Sequence, residues 1–189
     1  SRRIGQIDLE TCSFDYLKDR QGHYIYFDLT AFSDLALHPD GRLFGVVNVE
    51  AGALIAEIDI FQKQAKDTIA IIPDVILYAL ACDSNGLLYS GRGPIFTINP
   101  DTKEYNLIGH LPFGEEGGDF IFYQNKLLAA TEDLNGVPRI YTVNIDDPSS
   151  SEILHTLPQG IGFGGMAITY DDAGQQQLVG SHWDISDDP

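Results

Sequence analysis

The sequence is short of cations, of cysteine and of long apolar runs, and each shortage excludes a class of function. Its 189 residues include 11 Lys and Arg against 28 Asp and Glu, which gives a net charge of −17. Such a chain repels phosphate backbones and anionic membrane surfaces, so we expect no nucleic-acid partner. No apolar run approaches the roughly 18 residues that a membrane-spanning helix needs, so we expect no membrane insertion. Two Cys do not make a disulfide scaffold.

Motifs of familiar catalytic and metal chemistry are also absent. The chain contains no GxSxG, no HExxH and no DxDxDG, and it shows no helical periodicity over ten residues. The glycine-rich stretch 160–165 superficially resembles a phosphate loop, but a strand-like sequence follows it where a dinucleotide-binding fold needs a helix. We therefore assign no catalytic residue, and the sequence favours a non-catalytic protein while leaving an enzyme open.

What the chain does contain is an internal repeat. With 43% hydrophobic and 11% aromatic residues, it has enough apolar surface for one folded domain. A short β-prone run that ends in Asp or Asn occurs four times, at 4–8, 55–59, 95–99 and 140–144. An Asp or Asn side chain at such a position folds back onto the following backbone and starts a turn.

A second repeated element, a β-hairpin, precedes three of these runs. It is clearest at 35–45, where Pro-Asp-Gly reverses the chain, and at 80–90, where Ser-Asn-Gly does. Degenerate copies lie at 120–128 and 168–180. A more polar fourth strand follows each β-prone run, and four strands in about 40 to 50 residues is typical of a propeller blade. We predict an all-β, β-propeller-type fold of four-stranded antiparallel blades, with about four units.

The units divide the chain unevenly. We treat 1–189 as one propeller domain or a propeller fragment, with units at about 3–30, 32–73, 76–110, 119–157 and 163–182. The three central units are complete, whereas the first and last each supply half a blade. Either the two halves pair and close a small ring, or the chain is part of a larger propeller. Residues 23–29 form the outer strand of the first unit or an inserted arm suited to strand exchange, which makes self-association an open prospect.

The stretch Phe-Ser-Asp-Leu-Ala-Leu-His-Pro-Asp-Gly-Arg-Leu-Phe-Gly at 32–45, followed by a strand that ends at 58–59, resembles the NHL-like and YVTN-like propeller repeats of bacterial surface proteins. The opening Ile-Asp-Leu-Glu-Thr-Cys at 7–12 is similar to one found in large secreted proteins of gliding bacteria. The resemblance implies adhesion, filament building or ligand binding at the cell surface. The third unit departs from the pattern, because Asn125 and Lys126 replace its glycine turn.

Candidate ligand positions come from the connections that lead into the inner strands. Propellers usually bind ligands at the channel mouth formed by these connections, which are rich in glycine and acidic residues here. On this geometry the candidates are Glu115, Glu116, Asp119, Gly164 and Gly165.

Acidic pairs offer weaker candidates for Ca²⁺, a cation that takes six to eight oxygen ligands. These are Asp146 with Asp147 and Asp171 with Asp172, and a site would have to be assembled from separate loops. The simpler interpretation is that these are solvated carboxylates of surface turns.

Together these features lead us to expect a non-catalytic extracellular or cell-surface module that binds a protein or glycan partner. The alternatives are a glycan-binding or hydrolytic propeller with its site at the channel mouth, and a building block of an extracellular filament. If the carboxylates near 115–119, 146–147 and 171–172 meet at one end of the axis, a ligand site gains support.

Overall fold

The structure is a computed structural model, and it describes residues 2–3, 5–8, 13–16, 26–27, 32–62, 64–112, 116–132, 135, 137–158 and 161–184. Side chains are described over 32–62, 64–112, 118–132, 135, 137–158 and 165–181. In chain order the strands are β1 (Arg2–Arg3), β2 (Gly5–Asp8), β3 (Ser13–Tyr16), β4 (Tyr26–Phe27), β5 (Phe32–Leu37), β6 (Leu43–Val49), β7 (Gly52–Asp59), β8 (Gln64–Pro73), β9 (Ala79–Cys82), β10 (Leu88–Gly91), β11 (Pro94–Ile98), β12 (Tyr105–His110), β13 (Glu116–Tyr123), β14 (Lys126–Glu132), β15 (Pro138–Thr142), β16 (Glu152–Thr156), β17 (Ile161–Tyr170) and β18 (Gln176–Asp184).

Three antiparallel four-stranded meanders form the body of the fold, and they confirm the predicted all-β, propeller-type class. The strand orders are β5-β6-β7-β8, β9-β10-β11-β12 and β13-β14-β15-β16, so each strand pairs with its neighbour along the chain. Among the described residues the single helical element is the short 3₁₀ turn Pro148–Ser150. A helix long and apolar enough to cross a bilayer does not occur in that part of the chain.

The ends of the chain form separate two-stranded sheets. β2 pairs with β3, β17 pairs with β18, and β1 pairs with β4. In the described ranges no ladder joins the first of these hairpins to the second, so the sheets are not closed into a ring. Over the described residues the closed ring predicted as one alternative is therefore not formed, because each terminal hairpin pairs only within itself there. A larger propeller stays a prediction.

Side-chain oxygens at the ends of the third strands build the turns, as the repeat predicted. The Asp59 carboxylate accepts the amides of residues 61 and 62 at 2.9 and 2.8 Å. Asn99 accepts those of 101 and 102, and Asn144 accepts those of 146 and 147. The same position in each sheet thus satisfies two backbone donors that the strand ladder leaves open.

The apolar core lies between facing sheets. One cluster joins the first and second sheets around Phe44, Ile55 and Leu88, which are fully buried. Another joins the second and third sheets and includes Ile95 and Tyr141. This arrangement follows from strands that are apolar on both faces in the middle of each sheet.

Polar contacts add to the packing between the first two sheets. The Asn48 carboxamide donates to the Leu77 carbonyl at 2.8 Å and accepts the Leu77 amide at 2.9 Å, which fixes the connection that leads into β9. Near the surface, an ion pair joins Lys103 to Asp67 at 2.7 Å.

Candidate functional site

The inner strands of successive sheets lie side by side around a cavity of about 250 Å³. β5 lies beside β9, β9 beside β13, and β13 beside β17. Its wall includes the residues Leu35, Ile121 and Phe122. Two carboxyl groups, those of Asp34 and Asp119, also line it.

Asp34 lies in β5 and is bound to two backbone amides. Its Oδ2 accepts the Leu80 amide of β9 at 2.7 Å, and its Oδ1 accepts the amide of the next residue, Leu35, at 2.7 Å. The first of these bonds crosses from one sheet to the next. Asp34 therefore connects β5 to β9 as well as lining the cavity.

Asp119 makes the corresponding connection between the third and last sheets. Its Oδ2 accepts the Met166 amide of β17. Gly165 lies beside this bond, and a Cβ there would be at contact distance, 3.4 Å, from the same oxygen. Gly118 is needed at its position, since a Cβ on it would overlap the Ala130 carbonyl beside the β13 bulge.

The two carboxyl groups also interact with each other. Burial, and then the charge of Asp119, raise the pKa of Asp34 to about 7, although the amides of Leu80 and Leu35 oppose the rise. Burial likewise raises the pKa of Asp119, while its bonds to the Met166 amide and to Asp34 favour its charged form. We infer that Asp34 holds the proton of the pair near neutrality and donates it to Asp119.

These bonds form one network across all four inner strands: β9 to Asp34, Asp34 to Asp119, and Asp119 to β17. Chemically, the pair can hold sheets together, and it can present one protonated and one charged carboxyl group to the cavity. A group of three or more His, Cys, Asp or Glu side chains suited to a metal ion is not found among the described residues.

The structure brings together two of the five predicted mouth residues, Asp119 and Gly165. Glu116 is the first residue of β13 and Gly164 lies in β17, but their surroundings fall outside the described side chains. Glu115 lies outside the described residues.

The predicted calcium ligands lie elsewhere, in exposed turns. Asp146 and Asp147 follow β15, while Asp171 and Asp172 connect β17 to β18. Asp147 accepts the Ser149 amide and hydroxyl, and Asp171 accepts the amides of residues 173 and 175. Asp119 lies four residues before the end of β13, or about 13 Å along the strand from that turn end. These carboxylates do not converge with Asp119, and a calcium site stays a prediction.

Asp34 is a site residue that was not predicted from the sequence. It pairs with Val46 in its sheet, just as Asp119 pairs with Ala130. The equivalent residues of the second and last sheets are Ala79 and Ala167. Along the four consecutive inner strands this position therefore reads Asp, Ala, Asp, Ala. That alternation could have identified Asp34 from the sequence, because it places the two carboxyl groups opposite each other.

Comparison with known proteins identifies the fold and nothing finer. No family model matches the chain, and no curated protein matches it. A Bacteroides thetaiotaomicron structural-genomics protein of unknown function is similar, with a TM-score of 0.63 and 16% identity over 94% of this chain and 47% of that one. Kuenenia stuttgartiensis hydrazine synthase gives a TM-score of 0.53 and 12% identity, over 94% of this chain and 49% of its own. Vibrio parahaemolyticus oligogalacturonate lyase gives 0.50 and 10%, over 71% and 42%.

This chain therefore spans about half the length of the structures that it matches. At 10 to 16% identity the likeness supports a propeller-like arrangement of sheets. It does not carry over an activity or a ligand.

Proposed function

We propose that this protein is a non-catalytic, extracellular interaction module built on a β-propeller-type fold. The observation that carries the proposal is the hydrogen bonding of the two carboxyl groups in the cavity. Asp34 and Asp119 are bound to strand amides and to each other, so their hydrogen bonds connect four inner strands.

Geometry argues against an acid and base pair for glycoside hydrolysis. That reaction needs carboxyl groups about 5 to 9.5 Å apart, so that a sugar carbon or a water fits between them. Asp34 and Asp119 instead interact directly with each other, and each also accepts a strand amide, so the pair fits a structural role better.

Composition and surface support an extracellular partner. The net charge of −17 and the resemblance to the surface propellers of gliding bacteria both favour a secreted protein. Apolar side chains stand exposed on the outermost strands, including Ile71 on β8, Leu107 on β12 and Leu154 on β16. Such side chains on sheet edges suit contact with a protein or glycan, or with another copy in a filament.

The proposal is tested by measuring turnover and binding on the same material. The purified protein is incubated with neutral and acidic polysaccharides from pH 5 to 9, and reducing ends and unsaturated products are assayed. We expect no more product than an Asp119→Asn variant gives, once circular dichroism has shown that this variant is folded. Turnover that this variant loses would overturn the non-catalytic assignment. External protease added to intact source cells should digest the protein if it is displayed outside.

One observation favours a second candidate, a hydrolytic site in the cavity. Asp34 keeps a proton near neutral pH, as a general acid must, and it lines an accessible cavity. If this candidate were correct, activity would fall as pH rises through about 7 and would be absent in Asp34→Asn.

A further inference from the structure

A second cavity, of about 330 Å³, lies at the turn ends of the last three sheets and has a different character. We call it the turn groove. It is bounded by the turn between β9 and β10, the turn between β13 and β14, and the start of β18. Its volume is at the lower end of the range for small-molecule sites.

Tyr89 presents a hydroxyl group to the turn groove. The residue is only 5% exposed, yet it lines the groove. The hydroxyl is the part of this otherwise buried side chain that solvent reaches, so a ligand hydroxyl in the groove can take the place of water on it. Burial, followed by the charges of Asp83 and Asp146, raises the pKa of Tyr89, so the hydroxyl stays a donor.

The floor of the groove is aromatic. The Phe122 ring packs edge-on against Tyr89, with centroids 5.2 Å apart and an interplanar angle of 66°. Phe122 is half-buried and lines the groove, as does the exposed Ile145. The carbon-bound hydrogens on the face of a sugar ring pack favourably on such a surface.

Three side-chain carboxamides lie around the aromatic residues of the groove. Asn85, Gln124 and Asn125 lie in exposed turns, and each amide both donates and accepts hydrogen bonds. No described residue is hydrogen-bonded to the Asn85 or Asn125 side chain. Gln124 donates to the Tyr123 hydroxyl at 3.2 Å. The same hydroxyl is 3.1 Å from the Gln176 carbonyl, which holds the turn against β18. The groove is thus largely formed before a ligand binds.

The charge of the groove lining limits which class of ligand can bind. The groove is lined by one carboxylate, that of Asp83, and by no basic side chain. Asp83 Oδ1 accepts the amides of Asn85 and Leu87 at 2.9 Å each, so this carboxylate also shapes its own turn. A negative lining repels phosphates and uronic acids. A ring with an apolar face and several neutral hydroxyl groups matches the surface that remains.

We propose that the turn groove binds a neutral saccharide, with its ring on Phe122 and its hydroxyl groups bonded to the Tyr89 hydroxyl and to the Asn85 and Asn125 carboxamides. This inference rests on the proposed interaction module and names its ligand class. It concerns a different cavity from the one that holds Asp34 and Asp119.

The test uses the whole chain and a defined panel of probes. Neutral trisaccharides of glucose, galactose, mannose and N-acetylglucosamine are titrated by calorimetry and by saturation-transfer NMR, with trigalacturonate as the charged counterpart. We expect at least one neutral probe to bind and trigalacturonate not to bind. Tyr89→Phe should weaken that binding about tenfold, because it removes one hydrogen bond and keeps the ring.

Controls separate the groove from the rest of the surface. Tyr105→Phe removes a hydroxyl from an exposed strand and should leave affinity unchanged. Asn125→Asp should also weaken binding, because it replaces the two N–H donors of the carboxamide with a negative charge. Asp tolerates the φ of 62° at this position, as Asn does. Melting temperatures of all variants establish that they are folded.

The outcomes distinguish this inference from the proposed function. Binding that Tyr89→Phe and Asn125→Asp leave unchanged, or no binding by any neutral probe, overturns the groove site and leaves a protein-binding module intact. Binding that depends on Tyr89 together with turnover of the probe supports the groove and overturns the non-catalytic assignment.

Discussion

Replacing Asp34 by Asn should make the protein more stable at neutral pH and remove part of its pH dependence. Asn keeps an oxygen to accept the Leu80 amide, and its amide nitrogen can donate to Asp119 without a titrating proton. That nitrogen cannot accept the Leu35 amide, but this bond is exposed and water can replace it. The variant therefore preserves the hydrogen-bond network across the inner strands. It removes the like charges that arise when both carboxyl groups ionise.

The magnitude follows from the shift in pKa. Asp34 titrates near 7 in the folded protein and near 3.8 when unperturbed, so the native state binds its proton more tightly than the unfolded state does. The free energy of unfolding is then highest below pH 4, falls between about pH 4 and 7, and levels off above. At 1.36 kcal/mol per pKa unit the loss has an upper limit of about 4 kcal/mol. Because Asp34 is partly exposed in an open cavity, solvent screening reduces this to about 1 to 3 kcal/mol.

Urea denaturation at intervals from pH 4 to 8.5 measures the effect as the difference between Asp34→Asn and wild type. We expect a difference near zero at pH 4 that grows to about 1 to 3 kcal/mol in favour of the variant by pH 8. Asp59→Asn, in an exposed turn, leaves the pair intact and should keep the wild-type pH dependence. A variant less stable than wild type at pH 8, or with the same pH dependence, would refute the shared proton.

Four further predictions concern backbone conformation, a buried hydrogen bond and a buried thiol. Gly86→Ala should lower the free energy of unfolding by about 2 to 3 kcal/mol, because φ is +89° and a Cβ would lie 2.2 Å from His38 Nε2. Gly174→Ala, with φ of +75° but open space around it, should cost only about 1 kcal/mol in the same urea titration. Asn48→Ala should cost about 2 kcal/mol, seen as a lower urea midpoint, because it leaves a buried amide unpaired. Cys82 should react with iodoacetamide at pH 8 about 100-fold more slowly in the native than in the unfolded chain, measured by peptide mapping, because burial raises its pKa from 9.0 to about 11.

Local chemistry explains why much of the fold was predictable. The turns after the third strands depend on an Asp or Asn that bonds to amides two and three residues ahead, and this bonding needs no distant partner. The glycines of the two clearest hairpins adopt φ of +93° and +89°, as the turns require. Strand order also follows, because each strand of a meander pairs with its neighbour along the chain.

The candidate site was only partly predictable, because it depends on which residues meet across sheets. Asp119 and Gly165 were identified from a general expectation about connections, but Asp34 was not, since nothing near it in the chain marks it as different from other strand residues. Asp119, with which it interacts, is 85 positions away in the sequence. The turn groove was missed for a similar reason: Tyr89, Phe122 and Asn125 belong to two sheets and have no common motif.

The sequence thus determined by itself the shortage of cations, the repeat, the turns and the four-stranded sheets. All of these depend on charge, glycine and side-chain oxygens acting over a few residues. Only the tertiary structure decided that no ladder joins the terminal hairpins over the described residues, that Asp34 and Asp119 form one hydrogen-bonded pair, and that Tyr89 lines a polar groove. These features arise where separate sheets pack against one another. The raised pKa of Asp34 depends on burial, so it arises only when the sheets have packed.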